Sequence, residues 1–196
     1  MDRKQPESVN SNLEGISELT ERMAHIIRNL RTYARGEPVE ARPTSLRVAI
    51  EEALNLLEVR FREEAVELDA KLPDKRIEVV GGTVRLQQVF VNLISNGIDA
   101  MQGCTQRQLS ISVDDSEDKV FVKISDTGPG INEEDRANIF DPFFSTKKVG
   151  EGTGLGLSIS YGIINQFGGQ IETHNKEAGG AVFTVTLQRA GKKKAN

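Results

Sequence analysis

Asn92, Asn96 and Asp99 fall in a segment, Leu86 to Met101, whose apolar residues Leu86, Val89, Phe90 and Leu93 recur at helical spacing. At about 100° per residue the three short polar side chains share an arc of roughly 60° beside the apolar face. Solvated helix flanks usually carry Lys, Glu or Gln, whereas Asn and Asp are poor helix formers. Two carboxamides and a carboxylate in one row suit a hydrated magnesium ion, which takes oxygen ligands and keeps several waters while bridging phosphates. An ordinary wet flank is the competing reading.

Two further stretches carry glycines in chemically suggestive places. Ser125-Asp126-Thr127-Gly128-Pro129-Gly130-Ile131 directly follows a strand-like run. It reads either as an Asp-initiated turn or as an Asp backed by glycines that let a flat ring approach the backbone, its carboxylate accepting a hydrogen bond from an amino group such as that of adenine. Gly150-Glu151-Gly152-Thr153-Gly154-Leu155-Gly156-Leu157-Ser158 precedes an apolar helix. Alternate glycines let backbone N–H groups converge on an anion, and the helix adds its positive end, so a phosphate cradle stands against a merely flexible loop. The stretch contains neither Gly-Lys-Ser/Thr nor a Gly-x-Gly-x-x-Gly register. Between the two lies Phe140-Asp141-Pro142-Phe143-Phe144-Ser145-Thr146-Lys147, either a local core plug or a mobile lid whose Lys147 could reach a phosphate.

These residues need elements to hold them. Ser45 is placed to cap a helix running through Glu64, with Val48, Leu54, Leu57 and Phe61 on one face. Strand-like alternation covers 66–70 and 77–80, a helix 83–101, and two strands 109–113 and 119–124 joined by an acidic turn at 114–118. A helix over 155–167 and a closing hairpin of 170–173 with 181–187 complete the pattern. This predicts an α+β two-layer sandwich, a mixed and mostly antiparallel sheet with helices on one face. Upstream, Val9, Leu13, Ile16, Met23, Ile27, Leu30 and Ala34 form a heptad seam interrupted at Thr20 and widened by Leu19, Ile26 and Tyr33, as in a helix that needs bundle partners. Gly36, Pro38 and Pro43 end it. The expected division is a bundle helix over 1–36, a globular domain over 37–190 and a basic tail over 191–196.

Composition narrows the function classes. With 29 acidic and 25 basic residues among 196 the net charge is −4, which leaves no broad cationic surface for nucleic acid. No apolar run approaches the roughly 18 residues of a membrane span, and Met1-Asp2-Arg3-Lys4-Gln5 does not start a signal peptide. A cytoplasmic segment without membrane contact is expected. One cysteine and two histidines rule out an internal disulfide and a structural zinc site.

In order and spacing the four elements resemble the GHKL ATPase superfamily, and within it the catalytic ATP-binding domain of sensor histidine kinases, over about residues 44–188. Helix 8–35 resembles the second helix of that family's dimerisation bundle, and the stretches 20–36 and 140–160 are similar to kinases sensing C4-dicarboxylates or nitrogen status. The resemblance implies ATP and Mg²⁺ as cofactors. It places Asn92, Asn96 and Asp99 in the N box with Asn96 as magnesium ligand, and Asp126, Gly128, Gly130 and Ile131 at adenine. Phe140, Phe143 and Phe144 match the F box. Lys147, Gly152, Thr153, Gly154, Leu155 and Gly156 are placed at the phosphates. It implies a homodimer that passes the γ-phosphoryl group to a histidine on the dimerisation helix, and then to a response-regulator aspartate. An ATP-hydrolysing clamp and a non-catalytic nucleotide-binding scaffold are the alternatives.

Two departures sharpen this. Hydrolytic members carry a Glu, one turn before the magnesium-binding Asn, that activates water; here that position is Asn92, which cannot act as a general base. The acceptor His of such kinases is followed by Glu or Asp and soon by Pro, whereas His25 is followed by Ile26-Ile27-Arg28-Asn29. The acceptor is therefore expected outside this chain, and Asn92, Asn96 and Lys147 are the candidate catalytic residues.

Overall fold

The computed structural model describes residues 41–147 and 152–191. The chain divides into two units, Met1–Pro38 and Val39–Asn196, and all described residues belong to the second. The expected bundle helix with His25, Gly150 and Glu151 of the glycine-rich stretch, and Lys192-Lys193-Lys194 lie outside the described residues.

The elements run β1 (Arg42–Ser45), α1 (Leu46–Glu63), β2 (Glu67–Lys71), β3 (Glu78–Gly81), α2 (Thr83–Ala100), β4 (Gln108–Asp115), β5 (Lys119–Ser125), α3 (Glu133–Arg136), α4 (Gly156–Gln166), β6 (Gln170–Asn175) and β7 (Ala181–Gln188). β1 and β3 form an antiparallel pair, and the main sheet has the order β2-β4-β5-β7-β6. In it only β2 and β4 are parallel; the other pairings are antiparallel. The strand period of two puts Val120, Val122 and Ile124 of β5 on one face, in register with Leu187, Val185 and Phe183 of β7, and all six are buried. The opposite face carries Phe121 and Lys123 beside Thr186 and Thr184.

α2 is the central helix, packed between α1 and α4 and touching β4 and β5. Its Leu86, Val89, Phe90, Leu93 and Ile94 have no exposed surface, each contributing about 1.5–3 kcal/mol by burial. At Gly97 a Cβ would lie 2.8 Å from Leu109 Cδ1 and 3.6 Å from Asp126 Cβ, so the missing side chain lets α2 settle onto the sheet beside Asp126.

Several local expectations are revised. α1 buries Leu46, Ala49, Ile50, Ala53 and Leu57; of the expected face only Leu57 is buried, and Val48 is 41% exposed. Ala49 and Ala53 share the inner face with Leu46, Ile50 and Leu57, while Val48, Leu56 and Val59 are turned outward. Ser45 occupies the N-cap position without a side-chain cap hydrogen bond. Asp114 and Asp115 belong to β4, neutralised by Lys123, Lys75 and Arg189. The turn itself is Ser116–Asp118, closed by Ser116 N–H on the Lys119 carbonyl at 2.8 Å. β1 and α3 were not expected from periodicity, being only four residues each. Among the described residues no helix is long and apolar enough to cross a membrane.

Candidate functional site

A cleft of about 500 Å³ opens between the C-terminal half of α2, the loop after β5 and the segments that flank α4 on its N-terminal side. Asp126 closes its floor. Placed directly after β5 and 4% exposed, its Oδ1 accepts the backbone N–H groups of Gly128 at 2.8 Å and Ala181 at 3.2 Å. Its own N–H donates to the Ala181 carbonyl at 3.1 Å. Among the described residues no donor reaches Oδ2, and the side chain lines the cleft. Burial pushes the carboxyl above the usual value, against the opposing pull of the two amides and of Lys176. The result is a fixed acid with Oδ1 held by two backbone amides and Oδ2 without a hydrogen bond from another described residue.

Two neighbours that sequence reasoning missed hold this floor. Gly180 has φ +91°, and a Cβ there would stand 2.1 Å from the Asp126 carbonyl oxygen, so only glycine lets β7 begin this close. Asn175, the last residue of β6, clamps the loop wall at two points: its Oδ1 accepts Ile131 N–H at 2.8 Å and its Nδ2 donates to the Ile131 carbonyl at 2.7 Å. That carboxamide fills the space a Cβ on Gly130 would take, 2.9 Å away, and Gly130 has φ +83°. Gly130 and Ile131 both line the cleft. Gly128 does not, yet a Cβ on it would lie 2.8 Å from the Ala100 carbonyl oxygen, so its role is to let the loop pass α2.

The polar row of α2 is divided between two tasks. Asn96 and Asp99 line the cleft. Asn92 lies outside its lining and fastens α2 to α4, its Nδ2 donating to the Gly156 carbonyl at 3.2 Å and to Ser160 Oγ at 3.3 Å. Asp99 is gripped from both sides: Lys147 Nζ is 2.5 Å from Oδ2, and Arg60 Nη2, reaching from α1, is 2.5 Å from Oδ1. Burial raises its carboxyl, but the hydrogen bonds and charges of Lys147 and Arg60 outweigh that and leave it below the usual value. Arg60 is the third residue the sequence did not reveal.

The phenylalanines take separate positions. Phe144 lines the cleft, Phe143 is 63% exposed, and Phe140 packs on Tyr161 with ring centres 5.2 Å apart. Phe143 N–H donates to the Gly154 carbonyl at 3.0 Å. The backbones touch so closely that a Cβ on Gly154, φ +65°, would lie 2.4 Å from the Phe143 carbonyl carbon, and Phe143 itself takes φ +70°. Gly152, Thr153, Gly154 and Gly156 line the cleft. Leu155 is instead a core residue, 3% exposed.

Comparison with known proteins places this geometry. Residues 81–191 match the family described as histidine kinase-, DNA gyrase B-, and HSP90-like ATPase, and the chain belongs to that family. Its branch is that of the sensor histidine kinases. The chain is 35% identical to the catalytic domain of histidine kinase ThkA, covering 98% of that chain and 76% of its own with a TM-score of 0.65. It is 38% identical over 95% of its length to the C4-dicarboxylate transport sensor protein DctB of Pseudomonas aeruginosa, and 35% identical over 96% to DctB of Rhizobium meliloti. It spans 31% and 30% of those two relatives. Histidine kinase ThkA in complex with response regulator protein TrrA matches 97% of this chain at 30% identity, with a TM-score of 0.75 and 53% of that chain covered.

Proposed function

We propose that the cleft binds Mg-ATP and that, within a longer kinase, it delivers the γ-phosphoryl group to a histidine on a dimerisation helix, for relay to a receiver-domain aspartate. The observation that carries the reading is Asp126: a buried acid in the cleft lining whose Oδ1 accepts two backbone amides, while Oδ2 takes no hydrogen bond from another described residue. This is the acceptor that the amino group of adenine requires and that the carbonyl at the same place on guanine would repel.

From there the chain's own residues divide the work. Gly130 and Ile131 form the wall against which the base lies, and the Asn96 carboxamide stands on the rim where magnesium would be held. Among the described residues no group of three His, Cys, Asp or Glu side chains forms a metal site. The donor set thus fits an ion carried mainly by phosphates and water, with one protein oxygen added; when bound it would neutralise charge on the β- and γ-phosphates. Lys147 leaves Asp99 to meet the phosphates, and Gly152 to Gly156 offer backbone N–H groups. Asn92 has no basic atom to activate water and donates its N–H to α4, which supports transfer to a histidine over hydrolysis. The heptad pattern of the sequence from Val9 to Ala34 supports homodimerisation, and the TrrA complex of ThkA supports a response-regulator partner. Two relatives bear the name C4-dicarboxylate transport sensor protein, which supports a parent kinase of the C4-dicarboxylate or nitrogen sensor type.

The test uses the full chain with γ-labelled ATP. ADP should bind in preference to GDP, the chain alone should gain no base-stable, acid-labile label, and a supplied acceptor helix from its own kinase should be labelled in trans. Equal affinity for ADP and GDP sinks the base assignment. Label on His25, or sustained phosphate release without an acceptor, sinks the transfer reading.

A further inference from the structure

We infer that Arg60, on α1 and outside the cleft, is a positioning residue that sets how tightly the cleft holds a polyphosphate, acting through Asp99. The inference rests on the reading of the cleft as a nucleotide site with Lys147 at the phosphates.

Asp99 carries one negative charge and two cations, each 2.5 Å from a different oxygen. Only one of the two cations, Lys147, lines the cleft. A phosphate that enters must draw Lys147 away from Asp99 or share it. Were Lys147 the sole partner, drawing it away would leave an uncompensated carboxylate, 24% exposed, facing the polyanion. Arg60 stays on Oδ1 while Lys147 departs from Oδ2, so the acid remains neutralised and the lysine is freed at lower cost. The same contact fixes the Asp99 side chain, and with it the place from which Lys147 starts.

The alternative is that Arg60 merely complements the dipole at the end of α1, where a cation is favourable in any protein. Arg62 provides the internal control. It lies in the same last turn, is 73% exposed on its side chain and pairs with Glu58 at 3.4 Å, one turn away on α1. A dipole role would be shared by both arginines; a role through Asp99 belongs to Arg60 alone.

The experiment measures AMP-PNP with magnesium, and adenosine without it, on the full chain and on R60Q, R60K, R62Q, D99N and R60Q/D99N, with thermal unfolding as a folding check. R60Q should weaken AMP-PNP binding by about fivefold to tenfold, leave adenosine within about twofold, and be partly rescued by R60K. R62Q should match the parent chain, and R60Q should have no effect in the D99N background. Equal loss for adenosine and AMP-PNP, an equal effect of R62Q, or a full R60Q effect that persists without the Asp99 charge overturns the inference. Normal binding by R60Q overturns it too, while leaving the nucleotide reading intact. A parent chain that binds neither ligand overturns the nucleotide reading, and this inference with it.

Discussion

Asp126 and Asp99 line the same cleft and are held in opposite ways. Backbone amides grip Asp126, and burial raises its carboxyl; two side-chain cations grip Asp99, and they lower it. The first arrangement is built into the sheet. Its donors are the N–H groups of Gly128 and Ala181, which cannot swing away, so the geometry exists before any ligand arrives. The second is made of long side chains, Lys147 and Arg60, about a third exposed, and such pairs exchange readily with competing ions. One end of the cleft can therefore discriminate by shape and hydrogen-bond pattern, and the other can respond to charge.

The largest effect is expected at Asp126. Asp126→Asn keeps an oxygen for the two amides but turns the acceptor in the cleft into a donor, and ADP affinity should fall by about 1.5–3 kcal/mol, or one to two decades. Stability should move the other way. The folded protein holds the Asp126 proton more tightly than the unfolded chain, so wild-type stability declines as pH rises from the ordinary value of 3.8 through the raised folded one. Asparagine has no such loss. The variant should unfold at or above the wild-type temperature at pH 7, with the difference vanishing below about pH 3.8. Calorimetric titration and thermal unfolding at the two pH values check both halves. A variant that binds ADP normally, or one destabilised at neutral pH, removes the distinction drawn for this end.

Asn175 comes next in size. Removing its clamp in Asn175→Ala leaves Ile131 N–H and C=O to water and should weaken binding by about 0.5–1.5 kcal/mol. Because the clamp supports the wall of the base, adenosine and AMP-PNP should lose affinity equally, unlike the loss expected from R60Q. A variant that weakens AMP-PNP alone would mean that the two ends of the cleft are not separable.

What could be read in advance follows the same division between local and distant causes. Asp126 stood out because a strand, an Asp and two glycines are consecutive, and α2 because its periodicity runs for 18 residues. Asn96 and Asp99 were visible as short polar residues on a helix that did not need them. Arg60 was not, because its meaning lies in a contact to a residue 39 positions away, and alone it reads as a cation closing a helix. Asn175 lies 44 positions from Ile131, and at a strand end before Lys176-Glu177-Ala178-Gly179-Gly180 it reads as a turn former. The buried side of α1 is hard to read for a related reason: alanine is a weak periodic signal, yet Ala49 and Ala53 are fully buried. Asn92, Phe140 and Leu155 share the motifs' spacing, but Asn92, a turn before Asn96, meets α4, Phe140 packs on Tyr161 and Leu155 lies in the core.

The smallest expected effect concerns the stability that the ion pairs contribute. Asp99→Asn removes a carboxylate whose folded value lies below 3.8. Its stabilisation is therefore fully present above 3.8 and is lost as pH falls through the lower folded value. The pairs are partly exposed, so the loss in D99N should be no more than about 1 kcal/mol at pH 7 and low salt. It should shrink further as ionic strength screens the wild-type pairs. Denaturant unfolding of both proteins at two salt concentrations and two pH values measures this. A loss independent of salt, or one that persists in acid where both proteins carry a neutral group, would show Asp99 to be fixed by something other than its ion pairs. The cleft would then have two fixed ends, with no exchangeable one for phosphate to engage.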